Sequence, residues 1–438
     1  MDLVSRLASK RKIVVGGSLA VLVAAGVAYE IRHSRDSSGQ TIDAVAREYV
    51  RLAVALGERD HDSIDYYVGP PAWIDGIHEH PQTFGQIRAS TLELTRRLQA
   101  TVVATPSDEA RRRDYLIAQL QALAGRVDVL ASKSASFDAE SAALFGVKIE
   151  GNLDRPRIAT IRAELQRLLG ADGDLGERYV RFSRRFVIPR ERLAAVMSAA
   201  LEGCRRQTLA HVPLPPGESV NVNYVEGAPW SGFSAYLGHY HSVLKVNLSF
   251  ALGPEEVLNL ACHEGYPGHH VFNSIRDWKG HAWPEVAVQP TFSPQSLLSE
   301  GAASDALDLA YPPAERLEFE RKVLFPAAGL DPTGAAQYVQ VEHLIDQLRD
   351  TEAIVARDYL DRHLEFVRAE QALDEDAAMA DAVPTLLYLN EFRSYVVTYT
   401  MGRKLVARCV KGTSHEDSWA RYLALMQTPD TLLPCSIP

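Results

Sequence analysis

Apolar residues recur at intervals of three and four from Thr41 to about Ala210, the spacing that lays one face of an α-helix against a core. In "TIDAVAREYVRLAVALGERD" the stripe is Ile42, Val45, Tyr49, Leu52 and Leu56, with Thr41 in the N-cap position. The theme repeats in "FGQIRASTLELTRRLQATVV", "RRRDYLIAQLQALAGRVDVLAS", "RIATIRAELQRLL" and "PRERLAAVMSAALEGCRRQT". Turn formers such as "VGPPAW" at 68–73 and "GADGDLG" at 170–176 separate these runs. The pattern then changes. "SVNVNYVEGAPWSGFSAYLGHYHSVLKVNLSF" (219–250) alternates apolar and polar residues around a "GAPW" turn, which predicts two or three short strands. Helical spacing returns in "GPEEVLNLACHEGYPGHHVFNSIRDW", where Pro254 suits a first turn and Glu255 and Glu256 complement its positive end. Helices continue to the C-terminus with pauses at "YPPAE", "GLDPTG" and "KGTSHED". The expected fold is therefore mostly α: one large helical domain over 41–438 with a small β-ribbon beside a kinked helix.

The first forty residues follow a different rule. Arg6, Lys10, Arg11 and Lys12 precede seventeen uncharged residues, Ile13 to Tyr29. Such a run sits at the lower limit for crossing a bilayer and just above a usual signal-peptide core, and its preceding cations keep an N-terminus cytoplasmic. Residues 1–12 thus read as a cytoplasmic n-region and 13–29 as a transmembrane signal anchor. A cleaved signal peptide ending near Ala28 and a buried helix are the alternatives. Polar residues 30–40 form a linker, and the rest of the chain is expected outside the cytoplasm, anchored or exported. A formal net charge of −10 argues against nucleic acid as partner, because phosphate affinity needs clustered Lys and Arg. The four cysteines are too few to staple a fold of this length. In an oxidising compartment Cys409 and Cys435 are the expected pair, with Cys262 a small buried side chain.

Chemistry concentrates in "CHEGYPGHH" at 262–270. A zinc helix of the H-E-x-x-H type places its second histidine four residues after the first, but here that place is Pro267. On a regular helix His263 and His269 would point ~120° apart, whereas His263 and His270 would differ by ~20° but stand ~10.5 Å apart along the axis. Pro267 cannot donate to the carbonyl of the preceding turn, and Gly268 frees the chain to re-enter helix with a new phase. The break can bring either later histidine toward His263, with His270 slightly favoured. Glu264 stands where zinc peptidases carry the general base that takes a proton from the attacking water. Glu300, an acid within the apolar stretch "QSLLSEGAASDALDLA", is the candidate third ligand. "EFRSYVVTYTMGRKLV" offers Tyr395 and Tyr399, four apart, as oxyanion donors, and Arg403 as a partner for a substrate carboxylate. In the ribbon, "GHYHSVLKVNLSF" is the candidate substrate-binding strand, with Tyr236, His239, Tyr240 and His241 near the reacting centre. The competing interpretation is a hydrogen-bonded core network of histidines and acids, with the tyrosines as core.

"HEGYPGHH", the "EG" at Glu300 and "YTMG" at 399–402 resemble the signature stretches of the bacterial domain of unknown function 885 family, regarded as relatives of the gluzincin zinc metallopeptidases. The resemblance spans roughly 41–430 and is strongest over 219–310 and 384–406. It implies a mostly helical fold, with a zinc-site core about 219–310 and C-terminal helices over 311–438. It also implies His263 and one of His269 or His270 as zinc ligands, Glu264 as base, Glu300 as third ligand, and Tyr399 rather than Tyr395 as the oxyanion donor. The second motif departs from the family: E-G-W-A-L-Y is replaced by "EGAASD", with Ala302 for Trp and Asp305 for Tyr. The expectation is a zinc-dependent hydrolase holding one Zn²⁺ or another divalent ion, a peptidase on short peptides. An amidase or esterase on envelope or small-molecule substrates, and a non-catalytic metal-binding protein, are the rivals.

Overall fold

Ile42, Val45, Tyr49, Leu52 and Leu56 all turn inward from a helix over 41–57 and are almost fully buried. They pack with Ile87, Leu94 and Leu98 of Phe84–Ala100 and Tyr115, Leu116 and Leu120 of Asp108–Leu130, an N-terminal three-helix layer with its own core. The computed structural model describes residues 41–131, 135–149, 151–170, 172–228, 230–280, 282–380 and 382–427. The 13–29 run and the Cys409–Cys435 pairing lie outside the described residues, because residues 1–40 and Cys435 do. Among the described residues no helix is long and apolar enough to cross a membrane.

The main core joins Arg190–His211, Pro254–Leu260, His269–Gly280, Pro294–Ala310 and the helices after 350, ending at Trp419, Tyr422 and Met426. A smaller aromatic cluster of Phe182, Phe186, Phe325 and Tyr338 seats the Ala335–Asp346 helix against the middle of the chain. The fold is mostly helical with two small sheets.

One sheet has three strands, β2 (Ser219–Val225), β3 (Gly232–Gly238) and β4 (His241–Asn247), in the order β2-β4-β3. β3 and β4 form a hairpin closing on Gly238↔His241, so the loop is His239 and Tyr240 alone. Both have positive φ, 51° and 66°, as a two-residue hairpin turn of matching twist demands. β2 joins β4 in parallel. The other sheet pairs β1 (Ile64–Tyr67) with β5 (Val288–Pro290), antiparallel. Residues 41–210 read as helical almost throughout; β1 is an exception because a partner more than two hundred residues away completes its ladder.

At Cys262 the structure adds a bond to the expected burial. Cys262 is bonded to Cys204, which ties the Arg190–His211 helix to the segment carrying His263.

Candidate metal centre

Pro254 opens the helix that leads to His263 at its first position, and Glu256 accepts from the Gly253 amide at 2.7 Å. The helix runs to Leu260 and widens into a π-turn over Ala261–Gly265, with the Tyr266 amide donating to the Ala261 carbonyl at 3.1 Å. Tyr266 is extended (φ −123°, ψ 119°), Pro267 follows a cis bond, and a new helix begins at His269. Gly268 turns beneath the first helix: its amide donates to the Cys262 carbonyl at 2.9 Å, and a Cβ there would lie 1.8 Å from the His263 carbonyl oxygen. Glycine is required at 268 for space. Because three residues between the histidines are not helical, phase does not accumulate from His263, and the regular-helix rule that favoured His270 does not apply.

His269 is the histidine that faces His263. Their rings are nearly perpendicular with centroids 4.8 Å apart, and donor atoms of His263, Glu264 and His269 all fall within 4.8 Å of one another. Glu300, from the Pro294–Ala310 helix, directs Oε2 between them, 3.5 Å from His263 Nε2 and 3.4 Å from His269 Nε2. Both separations are long for hydrogen bonds. Oε2 is moreover buried without a hydrogen-bond partner. Ligands 2.0–2.2 Å from one tetrahedral ion stand about 3.3–3.6 Å apart, and Oε2 stands at that spacing from each imidazole nitrogen. The side chains of His263, His269 and Glu300 are 12–15% exposed, which leaves one side of the cluster reachable.

The surroundings orient these groups. Ser299 meets His269 Nδ1 at 3.2 Å, which turns Nε2 toward Glu300. Tyr395 donates to Glu300 Oε1 at 2.8 Å and also meets Ser296. Burial opposes a charged His269, yet the carboxylate of Glu300 outweighs it and lifts the imidazole to about 9. Burial likewise opposes the Glu300 carboxylate, but His269 and His263 hold it well below the usual carboxylate range. Both shifts say that Glu300 sits where positive charge is favoured.

Tyr395 and Tyr399 arrive through a glycine contact. A Cβ on Gly301 would stand 2.5 Å from the Gly402 carbonyl, so "EG" and "YTMG" touch backbone to backbone at these two glycines. The approach sets Tyr399 beside Tyr395 (ring centroids 5.6 Å) and 6.4 Å from the His263 ring. Burial, then the charge of Glu300, raises both phenols well above their ordinary value, so they remain protonated donors. Tyr399 packs its ring against Tyr395 and near His263 yet keeps 37% of its surface open, whereas Tyr395 is buried and committed to Glu300. Tyr395 thus positions Glu300 in place of the oxyanion role the sequence suggested for it.

The remaining candidates are placed elsewhere. His270 is fully buried on the opposite side, with Nδ1 at 2.9 Å from Ser242 Oγ and Nε2 at 2.9 Å from Glu218. Arg403 is held by Asp346 at 2.8–2.9 Å and by Asp308 at 2.6 Å, so its guanidinium is engaged in structural pairs. Tyr236 donates to Asp277 at 2.6 Å, and the same carboxylate accepts from the His239 amide at 3.0 Å. Tyr240 donates its amide to Tyr236, and His241 meets Ser219. Tyr236 and His239 thus lock the hairpin turn onto the His269–Gly280 helix through Asp277. β4, the expected substrate strand, is the central strand with both edges paired, so it has no free edge to offer.

One acid near the centre had no sequence signal. Asp65 falls at the irregularity in the β1–β5 register, between the pairs Ile64↔Pro290 and Tyr66↔Gln289. The charged groups acting on it are His269, Glu300 and Glu264, and burial together with the two acids raises its carboxyl to about 7 against the pull of His269.

No protein-family model matches the chain, and no curated protein matches it significantly. Among solved structures it is similar to the "putative lipoprotein from Colwellia psychrerythraea", with 14% identity and TM-score 0.44 over 79% of this chain and 68% of that one. It is also similar to the chain titled "BsuCP", with 11% identity and TM-score 0.42 over 91% and 90%. Likeness this distant says nothing about the chemistry of this chain.

Proposed function

We propose that this chain is a zinc-dependent hydrolase, most simply a peptidase acting on short peptides. The observation that carries the reading is Glu300 Oε2, a buried carboxylate oxygen without a hydrogen bond, aimed between two imidazole nitrogens at 3.4 and 3.5 Å. His263, His269 and Glu300 would hold the ion, and zinc when bound supplies Lewis acidity toward a carbonyl and toward an attacking water. Glu264 lies among the same ligand atoms, makes no hydrogen bond among the described residues, and so has a free carboxylate to take a proton. Tyr399, protonated and solvent-facing, donates to the oxyanion that forms on the carbonyl. Tyr395 and Ser299 fix the directions of Glu300 and His269.

We place this chemistry outside the cytoplasm. The Cys204–Cys262 bond beside His263 and the apolar 13–29 run both support export, by anchor or signal peptide.

The test is Glu264→Gln. Zinc stoichiometry by elemental analysis should match wild type, while turnover on a peptide library falls about 10²- to 10⁴-fold. Undiminished turnover in the zinc-loaded variant would sink the mechanism.

A further inference from the structure

The residue that begins the tyrosine segment has a backbone suited to glycine. Arg393 follows the Val383–Phe392 helix with φ 50° and ψ −118°, the first central position of a type II′ turn, where glycine is the usual occupant. A bulky L-residue at positive φ is held there only by its surroundings. Here the surroundings are one carboxylate. Glu140, buried on the Phe137–Phe145 helix, accepts from Arg393 Nε at 2.6 Å through Oε2. Through Oε1 it accepts from the Ser394 amide at 3.2 Å and the Ser394 hydroxyl at 2.7 Å. Both oxygens are thus spent on two consecutive residues.

Tyr395 comes next in the chain. The helix of Glu140 also reaches it directly, with Phe145 edge-on to its ring at a centroid distance of 6.0 Å, and its hydroxyl ends on Glu300 Oε1 at 2.8 Å. Thr398 Oγ1 donates to the Tyr395 carbonyl at 2.8 Å, and the π-turn Thr398–Gly402 carries Tyr399 from there. A rotation of Arg393 to the negative φ that arginine prefers would redirect the residues that follow. Tyr395 would leave Glu300, and Tyr399 would leave the His263 ring.

We propose that Glu140 is a positioning residue: its bond to Arg393 holds the strained turn, and the turn sets Tyr395 on Glu300 and Tyr399 beside His263. The placement stands on hydrogen bonds within the chain, and its consequence for turnover rests on the hydrolase reading above. Glycine would fit the backbone at 393 but could not reach Glu140, which accounts for arginine at a glycine position.

The test is hydrogen–deuterium exchange of the 393–399 amides in the full-length protein. Arg393 is partly exposed, so Arg393→Ala removes the bond without emptying the core. Exchange over 393–399 should quicken about 10- to 100-fold, the range of a charge-assisted hydrogen bond, while the Arg190–His211 helix keeps its rate. Arg393→Gly should exchange more slowly than Arg393→Ala, because glycine holds the turn without strain. Glu140→Gln should match Arg393→Ala, since the amide still accepts from Ser394 but offers Arg393 no anion. Adding Arg393→Gly to Glu140→Gln should slow exchange again, whereas a Glu140 that merely fills space predicts further damage. Wild-type exchange in either Arg393→Ala or Glu140→Gln, or no slowing by glycine, would overturn the proposal. On the peptide that wild type cleaves fastest, kcat should fall about 10- to 100-fold in Glu140→Gln, with KM little changed, and recover in part with Arg393→Gly. Quickened exchange with undiminished kcat would overturn the positioning role. Quickened exchange in a chain whose wild type cleaves no peptide would overturn the hydrolase reading and leave the Glu140 bond standing. Cleavage with wild-type exchange in both single variants would do the reverse.

Discussion

The Pro267–Gly268 break separates two polar clusters built from adjacent histidines. On one side His270 has both ring nitrogens occupied, by Ser242 and Glu218, and Glu218 is further held by Tyr266 at 2.6 Å and Arg205 at 2.6 Å. Burial opposes the Glu218 carboxylate, but those donors keep it ionised, down at about 2, while burial holds His270 below its ordinary value. On the other side His269, His263 and Glu300 stand at ligand spacing with a carboxylate oxygen left over. Both clusters contain the same residue types, but the first is the more deeply buried. The first is closed upon itself; in the second, Glu300 Oε2 is buried without a hydrogen bond. Completeness of the hydrogen bonding, more than residue type, separates a structural network from a site that awaits a ligand.

The contrast breaks most sharply at Gly268. In Gly268→Ala the added carbon meets the His263 carbonyl, so the turn that sends the two histidines to opposite sides must open. Loss of zinc binding is expected, with destabilisation of about 4 kcal/mol or more in denaturant titration. A stable, zinc-binding variant would show that the close turn is unnecessary. Next come the histidines themselves. His269→Ala should abolish stoichiometric zinc with a modest change in stability, whereas His270→Ala should keep zinc and cost about 2–4 kcal/mol, from lost packing and a depleted network around Glu218. The opposite pattern would exchange their roles.

The smallest effect concerns Asp305, five residues beyond Glu300 and also without a hydrogen bond among the described residues. Burial, with Asp308 nearby, raises it to about 7. Between its unfolded value near 3.8 and about 7 the folded state keeps a proton that the unfolded chain has released. Stability from this group is therefore present at the acidic end and is lost as pH climbs through that window. Asp305→Asn should flatten the slope and raise stability at pH 8 by roughly 1–4 kcal/mol, with zinc content unchanged. Thermal melts across pH 5–8 would check it. An unpaired acid alone does not make a site; Asp305 lacks the converging imidazoles.

Much of the architecture was legible because it is local. The stripe from Ile42 to Leu56 sits where helical spacing puts it, and the 219–250 alternation became three strands. The two short motifs around Glu300 and Tyr399 do meet, through glycines whose purpose no spacing rule announces. What stayed hidden is nonlocal. β1 takes its conformation from β5, Cys262 its bond from Cys204, and Asp65 its neighbours from both sheet and helix. The choice of His270 failed for a different reason. Helical phase was carried across residues that are not helical, and a single extended residue, Tyr266, erased it.

The Cys204–Cys262 bond places a covalent link one residue before His263. In time as well as space, this couples the site to the route the chain takes. A copy held in a reducing cytoplasm would carry every histidine and acid described above but not the link that fixes the first of them against its neighbouring helix. On the proposed reading, delivery and maturation would be one event: the site would be finished by its destination, and the compartment that makes it would be spared an assembled hydrolase.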